Sequence, residues 1–306
     1  MFGRKKITVP QWAGMLKPKQ YAAFLSAVEQ HFTAQGAPYT IEDGIVYVKM
    51  DDVEADWQYG LDNLVQVCAQ VKPQDYPEMI AHHFQVIAEG NAFLNSFDFD
   101  DFASVKPYLG VRLYDRDYVE YAINLGQDTM IRRPFAGDLF SVLVFNFPHS
   151  IQTIATEDTE KWGKAEDELF AMGIDNIRRD CPLEPQEIPI SDDKLFLYET
   201  EHFFASNILF DLEQNEQLVG RGGAIVAVPT RSTAMIYPIY DLNVVEALNI
   251  FFHNAPACFM AGPGSLSREI FWYQNGQYES LDFEPGRKVK FTPSENFLAL
   301  LNELEQ

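Results

Sequence analysis

The stretch Phe203-Phe204-Ala205-Ser206-Asn207-Ile208-Leu209-Phe210 is followed, past Gly220, Gly222 and Gly223, by Ala224-Ile225-Val226-Ala227-Val228-Pro229-Thr230-Arg231-Ser232. The first part predicts a helix over 203–212, and the five consecutive apolar residues from Ala224 to Val228 predict a strand buried on both faces. Pro229 has no N–H to give to a ladder and so closes that strand. Residues 229–233 then connect it to a second apolar run, 234–239. The two runs are expected side by side, with the first in the middle of a sheet.

Outward from this pair, a strand is expected at 195–199 and a helix at 244–252. A hairpin over 269–273 and 277–281 turns at Asn275-Gly276, a type I′ signal. Thr292-Pro293-Ser294-Glu295 is a capping box with Pro at the first helical position, opening a helix whose stripe is Phe297, Leu301 and Leu304. The order β-α-β-β-α-β, with strands joined through short hairpins, lacks the strict alternation of a doubly wound sheet. The fold class expected is α+β, with mixed, mostly antiparallel sheets flanked by helices.

Toward the N-terminus, Tyr21, Phe24, Leu25, Val28 and Phe32 line one face of a helix over 18–35, between Pro18 and the stop at Gly36. A hairpin, 39–41 with 45–48, crosses Glu42-Asp43-Gly44, and helices follow at 61–71 and 77–89. In the middle, strands are expected at 110–114 and 139–147. A helical stretch over 157–179, broken at Gly163, has acids leading and Arg178-Arg179 closing it, as the helix dipole favours. Two joints interrupt the chain. Residues 90–107 hold no sustained period, and in 181–193 Pro182, Pro185 and Pro189 alternate with acids as in a polyproline-like spacer. The expected segments are 1–95, 108–180 and 194–306, small enough that some must share a core.

Several of these stretches resemble the YtpQ-like family of bacterial proteins. They are Ala205-Ser206-Asn207-Ile208-Leu209, then Gly223-Ala224-Ile225-Val226-Ala227-Val228-Pro229 with Arg231-Ser232, and Trp162-Gly163 through Glu166-Asp167-Glu168-Leu169 to Asn176-Ile177-Arg178. The likeness covers mainly residues 138–240. Asn207 stands where the family helix has Arg in Ala-Ser-Arg. The resemblance implies neither an activity nor a cofactor.

Composition excludes some partners. With 45 acidic against 23 basic residues the formal charge is −22, which opposes the counterion displacement that nucleic-acid binding needs and repels anionic membranes. Such a field attracts cations or a basic protein. Hydrophobic residues make up 47% and aromatic ones 14% of the 306-residue chain, enough for a large packed core. Cys68, Cys181 and Cys258 are odd in number and widely spaced, a reducing-compartment pattern. No apolar core follows the basic start Met1-Phe2-Gly3-Arg4-Lys5-Lys6, and no run reaches a membrane span, so a cytoplasmic protein is expected.

Chemistry-bearing motifs are few. No serine lies in G-x-S-x-G. His202 and Ser206 are four apart with Asp211 nearby, a spacing that also fits residues at a helix start. Glu78 and His82 stand four apart on one helix with Glu89 two turns further, but three ligands must converge on a metal and H-E-x-x-H is absent. Asp98, Asp100 and Asp101 lack the glycine and distal Glu of an EF-hand, so no metal and no cofactor are expected. Gly220-Arg221-Gly222-Gly223 precedes a strand, whereas a dinucleotide loop follows one, and Gly262-Pro263-Gly264-Ser265 reads as a turn. Arg132-Arg133, Arg178-Arg179, Arg221 and Arg231 could hold an anion if the fold gathers them.

Two functions are expected from this. The first is a non-enzymatic protein-binding module, for example an acidic inhibitor or immunity-type protein with a basic partner. The alternative is a small-molecule enzyme or ligand sensor with its site between the middle and C-terminal segments. Arg231, Ser232 and His202 are its candidate ligand-binding residues, and no catalytic residue is assigned.

Overall fold

The computed structural model describes residues 8–36, 38–49, 57–262, 264–284, 286 and 289–305. The basic start and Pro263 lie outside the described residues. The chain forms two compact units, Met1–Ser96 and Phe97–Gln306.

In the first unit, helix α1 (Pro18–Gln35) begins at Pro18 and ends at Gly36, whose φ of 74° is the left-handed cap. Strands β1 (Tyr39–Glu42), β2 (Ile45–Val48) and β3 (Trp57–Gly60) form an antiparallel meander. The third strand was not expected, because Trp57-Gln58-Tyr59-Gly60 is too short to show a period. Helix α2 (Asp62–Ala69) and helix α3 (Tyr76–Ser96) complete the unit. Phe24, Phe32, Leu64, Tyr76 and Ile80 meet in its core. Helix α3 runs through Gly90 and occupies the first part of the expected joint.

The second unit starts with the aromatic segment that carries Asp98, Asp100 and Asp101. Phe97 and Phe99 pack on Phe147 and Phe145, and Phe102 on Trp162. Helix α4 (Phe102–Val105) leads into strand β4 (Leu109–Asp115) and helix α5 (Arg116–Asn124), with Asp115 capping α5 by accepting from the Tyr118 N–H at 2.8 Å. Strands β5 (Arg132–Ala136), β6 (Leu139–Phe147) and β7 (Ser150–Thr153) join β4 in an antiparallel sheet. Helices α6 (Thr156–Trp162) and α7 (Glu166–Asp180) break at Gly163 (φ 60°). Helix α7 lies so close to β4 that a Cβ on Gly173 would come within 2.9 Å of the Gly110 carbonyl carbon.

The expected spacer at 181–193 holds strand β8 (Gln186–Ile190), which pairs with β9 (Asp193–Glu199). Pro189 is tolerated because β8 is an edge strand. Next comes a 3-10 helix, Ala205–Gln214, at the place of the expected helix. Its residues Ala205–Leu209 are all buried, and it touches both β4 and β11, so the slimmer spiral fits a narrow space between sheets. Strands β10 (Ala224–Thr230) and β11 (Thr233–Pro238) follow, then helix α8 (Val244–Ala261), which continues past the expected end with Pro256 in its interior. Strands β12 (Ile270–Gln274) and β13 (Gln277–Ser280), the small pair β14 (Phe283–Glu284) and β15 (Lys290–Phe291), and helix α9 (Glu295–Leu304) end the chain.

The six-stranded sheet has the order β13-β12-β10-β11-β9-β8 and is antiparallel throughout. Alternate residues of β10 enter two cores. Ala224, Val226 and Val228 face Ile208, Leu209 and Leu212, while Ile225 and Ala227 face Leu248, Phe251 and Phe297. Burial on both faces is what the unbroken apolar run records. The fold is α+β, as expected.

Candidate functional site

The β4 sequence Leu109-Gly110-Val111-Arg112-Leu113-Tyr114 is buried from end to end, and it carries an arginine in the middle. Arg112 and Tyr114 are two apart and so share one face of the strand. Arg112 is 8% exposed. Its guanidinium carbon lies 5.3 Å from the centre of the Tyr114 ring, 5.5 Å from Phe203 and 5.7 Å from Phe204. Nη1 donates to Tyr114 Oη at 3.5 Å, and Nε is buried without a hydrogen-bond partner. Burial pulls this guanidinium down to about 10, and the nearby Arg231 adds to the pull against the help of Tyr114.

Arg231 arrives from the β10–β11 turn. Its N–H donates to the Gly264 carbonyl at 2.9 Å, which fixes the turn against the 264–266 segment. Its guanidinium carbon lies 5.0 Å from the Tyr114 ring and 5.7 Å from Tyr118, and its Nε is also buried and unpartnered. Tyr114 and Tyr118 stack at 4.3 Å and 19°, so one tyrosine ring serves both cations. Burial pushes the Tyr118 phenol up, Tyr114 adds to this, and the two arginines oppose it. Gly264 has φ 73°, and a Cβ there would be 3.6 Å from Arg231 Nη1 and 3.8 Å from Phe203. Arg231, Gly264 and Phe203 are therefore neighbours. Among the described residues neither arginine has a carboxylate within ion-pairing distance.

Of the three residues named from sequence, Arg231 lies in this cluster by its side chain. Ser232 and His202 brace it instead. Ser232 Oγ donates to the His202 carbonyl at 3.3 Å, as does Thr200 Oγ1 at 2.6 Å, and the Thr200 N–H donates to Ser232 O at 3.0 Å. These bonds hold the 200–204 segment that presents Phe203 and Phe204. The His202 ring is tilted against Phe204 at 6.3 Å, and its Nδ1 is buried without a partner. Burial lowers its pKa, against a contact with the Pro182 backbone. Sequence reasoning missed Arg112. The available signal was a charged residue set inside an otherwise apolar strand pattern.

The acid cluster and Arg178 are already satisfied by local partners. The Asp98 carboxylate accepts from the Asp100 N–H at 3.0 Å, Asp101 caps α4, and Asp100 pairs with Lys161. Among the described residues no group of three His, Cys, Asp or Glu is placed to hold a metal ion. Gly220 and Gly223 are packed where a Cβ would meet the carbonyls of Ile239 and Tyr273, and Gly222 O accepts from Trp272 Nε1 at 2.8 Å. A cleft of about 350 Å³ between α7 and the 3-10 helix is lined by Ile177, Leu183, Phe196 and Leu218. Its arginine, Arg178, is neutralised by Asp211 at 2.7 Å and Asp175 at 3.0 Å. No helix among the described residues is long and apolar enough to cross a membrane. No family model, no curated protein and no solved structure matches the chain.

Proposed function

We propose that this protein is a ligand-binding module, a sensor or carrier, that captures the anionic group of a small molecule between Arg112 and Arg231. This is the junction of the middle and C-terminal segments. The observation that carries the reading is two guanidiniums on one tyrosine ring with no carboxylate beside either among the described residues. In a chain of charge −22, carboxylates are abundant elsewhere, and a desolvated cation without a counter-charge is costly. An anion relieves that cost through paired N–H donors, which a lysine would not reproduce. Kinship with the YtpQ-like proteins belongs to the same proposal, supported by stretches that include Arg231 and the segment after Phe204. So does a cytoplasmic setting, supported by three free thiols.

A thermal-shift screen with phosphates and carboxylates tests it. Ligand at 100 times its dissociation constant stabilises by about 2.7 kcal/mol, and Arg231→Lys should keep the unliganded melting temperature while weakening that response. A flat screen sinks the reading.

A second reading, a protein-binding module of inhibitor or immunity type, draws on Tyr121 and Leu125. They are four residues apart at the end of α5 and each 62% exposed. A low-salt pull-down that recovers no stoichiometric partner counts against it.

A further inference from the structure

Taken as an anion site, the Arg112–Arg231 cluster narrows its ligand through its charge. Both guanidinium carbons lie within 5.3 Å of one ring centre, and Arg231 acts electrostatically on Arg112, so the two cations border the same tyrosine. Tyrosine and phenylalanine faces offer a quadrupole and no formal charge. A monoanion would leave one of the two cations uncompensated beside the buried Arg112. A dicarboxylate spread along a chain would place its second charge away from the cluster. A phosphate monoester carries about −1.5 to −2 on a single group at neutral pH and offers three acceptor oxygens, which match two planar forks. Phe203, 42% exposed beside Arg112, marks the open side, where the organic part of the ligand leaves along an aromatic surface.

We infer that the ligand is a small molecule ending in a phosphate monoester, gripped at its phosphoryl oxygens by Arg112 and Arg231. Calorimetry on the full chain, in buffer free of phosphate and sulfate, compares phenyl phosphate with its methyl diester, benzoate and succinate. Phenyl phosphate should bind at least about tenfold more tightly than the diester, and Arg231→Gln should lose about tenfold or more of that affinity. Arg231 is only partly buried, so this variant keeps the test usable if Arg112→Gln fails to fold. Equal binding of monoester and diester, or binding of succinate or benzoate without phenyl phosphate, overturns the phosphate-monoester inference and leaves the anion site standing. A phosphoserine peptide is titrated alongside, and its binding without that of phenyl phosphate overturns the small-molecule assignment. No response to any of these anions overturns both the inference and the proposed function.

Discussion

Two arginine-bearing regions of the second unit treat charge in opposite ways. At the end of α7, Arg178 is tied to Asp211 and Asp175, and Arg179 to Asp180 and Asn176. Near the start of α7, Arg133 sits 4.0 Å over the Phe170 ring and still pairs with Asp167 at 2.8 Å. At the β4 and β10–β11 cluster, rings remain and no carboxylate among the described residues pairs with either arginine. The first arrangement is complete in itself and adds little to stability, because exposed ion pairs are screened and mobile. The second is incomplete among the described residues, since Arg112 is desolvated and neither cation meets a carboxylate there. On the proposed function, the difference separates a structural arginine from a receptive one.

The comparison assumes that an uncompensated buried charge is expensive in this fold, and the harshest test puts one where nothing can answer it. Val226 is fully buried in the central strand. Val226→Asp should cost at least about 4 kcal/mol and unfold the second unit, read by chemical denaturation. A variant melting within a degree or two of the parent would break both the assumption and the assignment of β10 as a central strand.

A subtler test removes a charge. Arg112→Met keeps most of the volume and deletes the desolvated cation, so the ligand-free protein should gain about 1 kcal/mol while anion binding disappears. Loss of stability instead would mean that the three rings around Arg112 hold it as firmly as a carboxylate would. Arg178→Met is the counterpart. It should lower stability by no more than about 1 kcal/mol and leave anion binding unchanged, as measured by the same melts and titrations.

The smallest effect concerns pH. Burial lowers the His202 pKa from 6.5, so the unfolded chain takes up a proton before the folded one does. The stability from neutral His202 is complete above pH 6.5 and is lost as pH falls below it. His202→Gln should flatten the stability profile below pH 6.5, the smallest effect of the set because the ring is only partly buried. An unchanged profile would show that His202 titrates as it does in water. The region would then be wetter than its unpartnered Nδ1 implies.

Much of the architecture was legible because its signals are local. The Ala224–Val228 run, the Asn275-Gly276 turn and the Pro18–Gly36 helix each state their structure within a few residues. The expected capping box is displaced: the last helix starts at Glu295 with Ser294 as its cap, accepting from the Phe297 N–H at 3.1 Å, so Pro293 precedes the helix instead of opening it. What was missed depends on neighbours distant in sequence. Pro134 and Pro189 weaken the strand signal of β5 and β8, and both strands lie on sheet edges that a single sequence does not reveal. Arg231 stood out between two apolar runs, whereas Arg112 was hidden inside one. Their meeting over Tyr114 is set by the packing of two sheets, which no spacing rule encodes. His202 and Ser232 were named for side-chain chemistry, yet they hold the Phe203–Phe204 segment through a carbonyl and a hydroxyl.

The β10–β11 pairing joins strands separated only by a turn, so it requires little loop closure. Strand β12 reaches β10 only after α8 has been traversed, and β4 lies far earlier in the chain. Assembly is expected to spread outward from that hairpin, with Arg231 already on its turn and Arg112 arriving late with the other sheet. On the proposed function an anion would bridge the two, and so would recognise an arrangement that is expected to form late. Stopped-flow kinetics should show the ligand slowing unfolding while the refolding rate barely changes. In a cell, occupancy would then act as a clock on the lifetime of the protein.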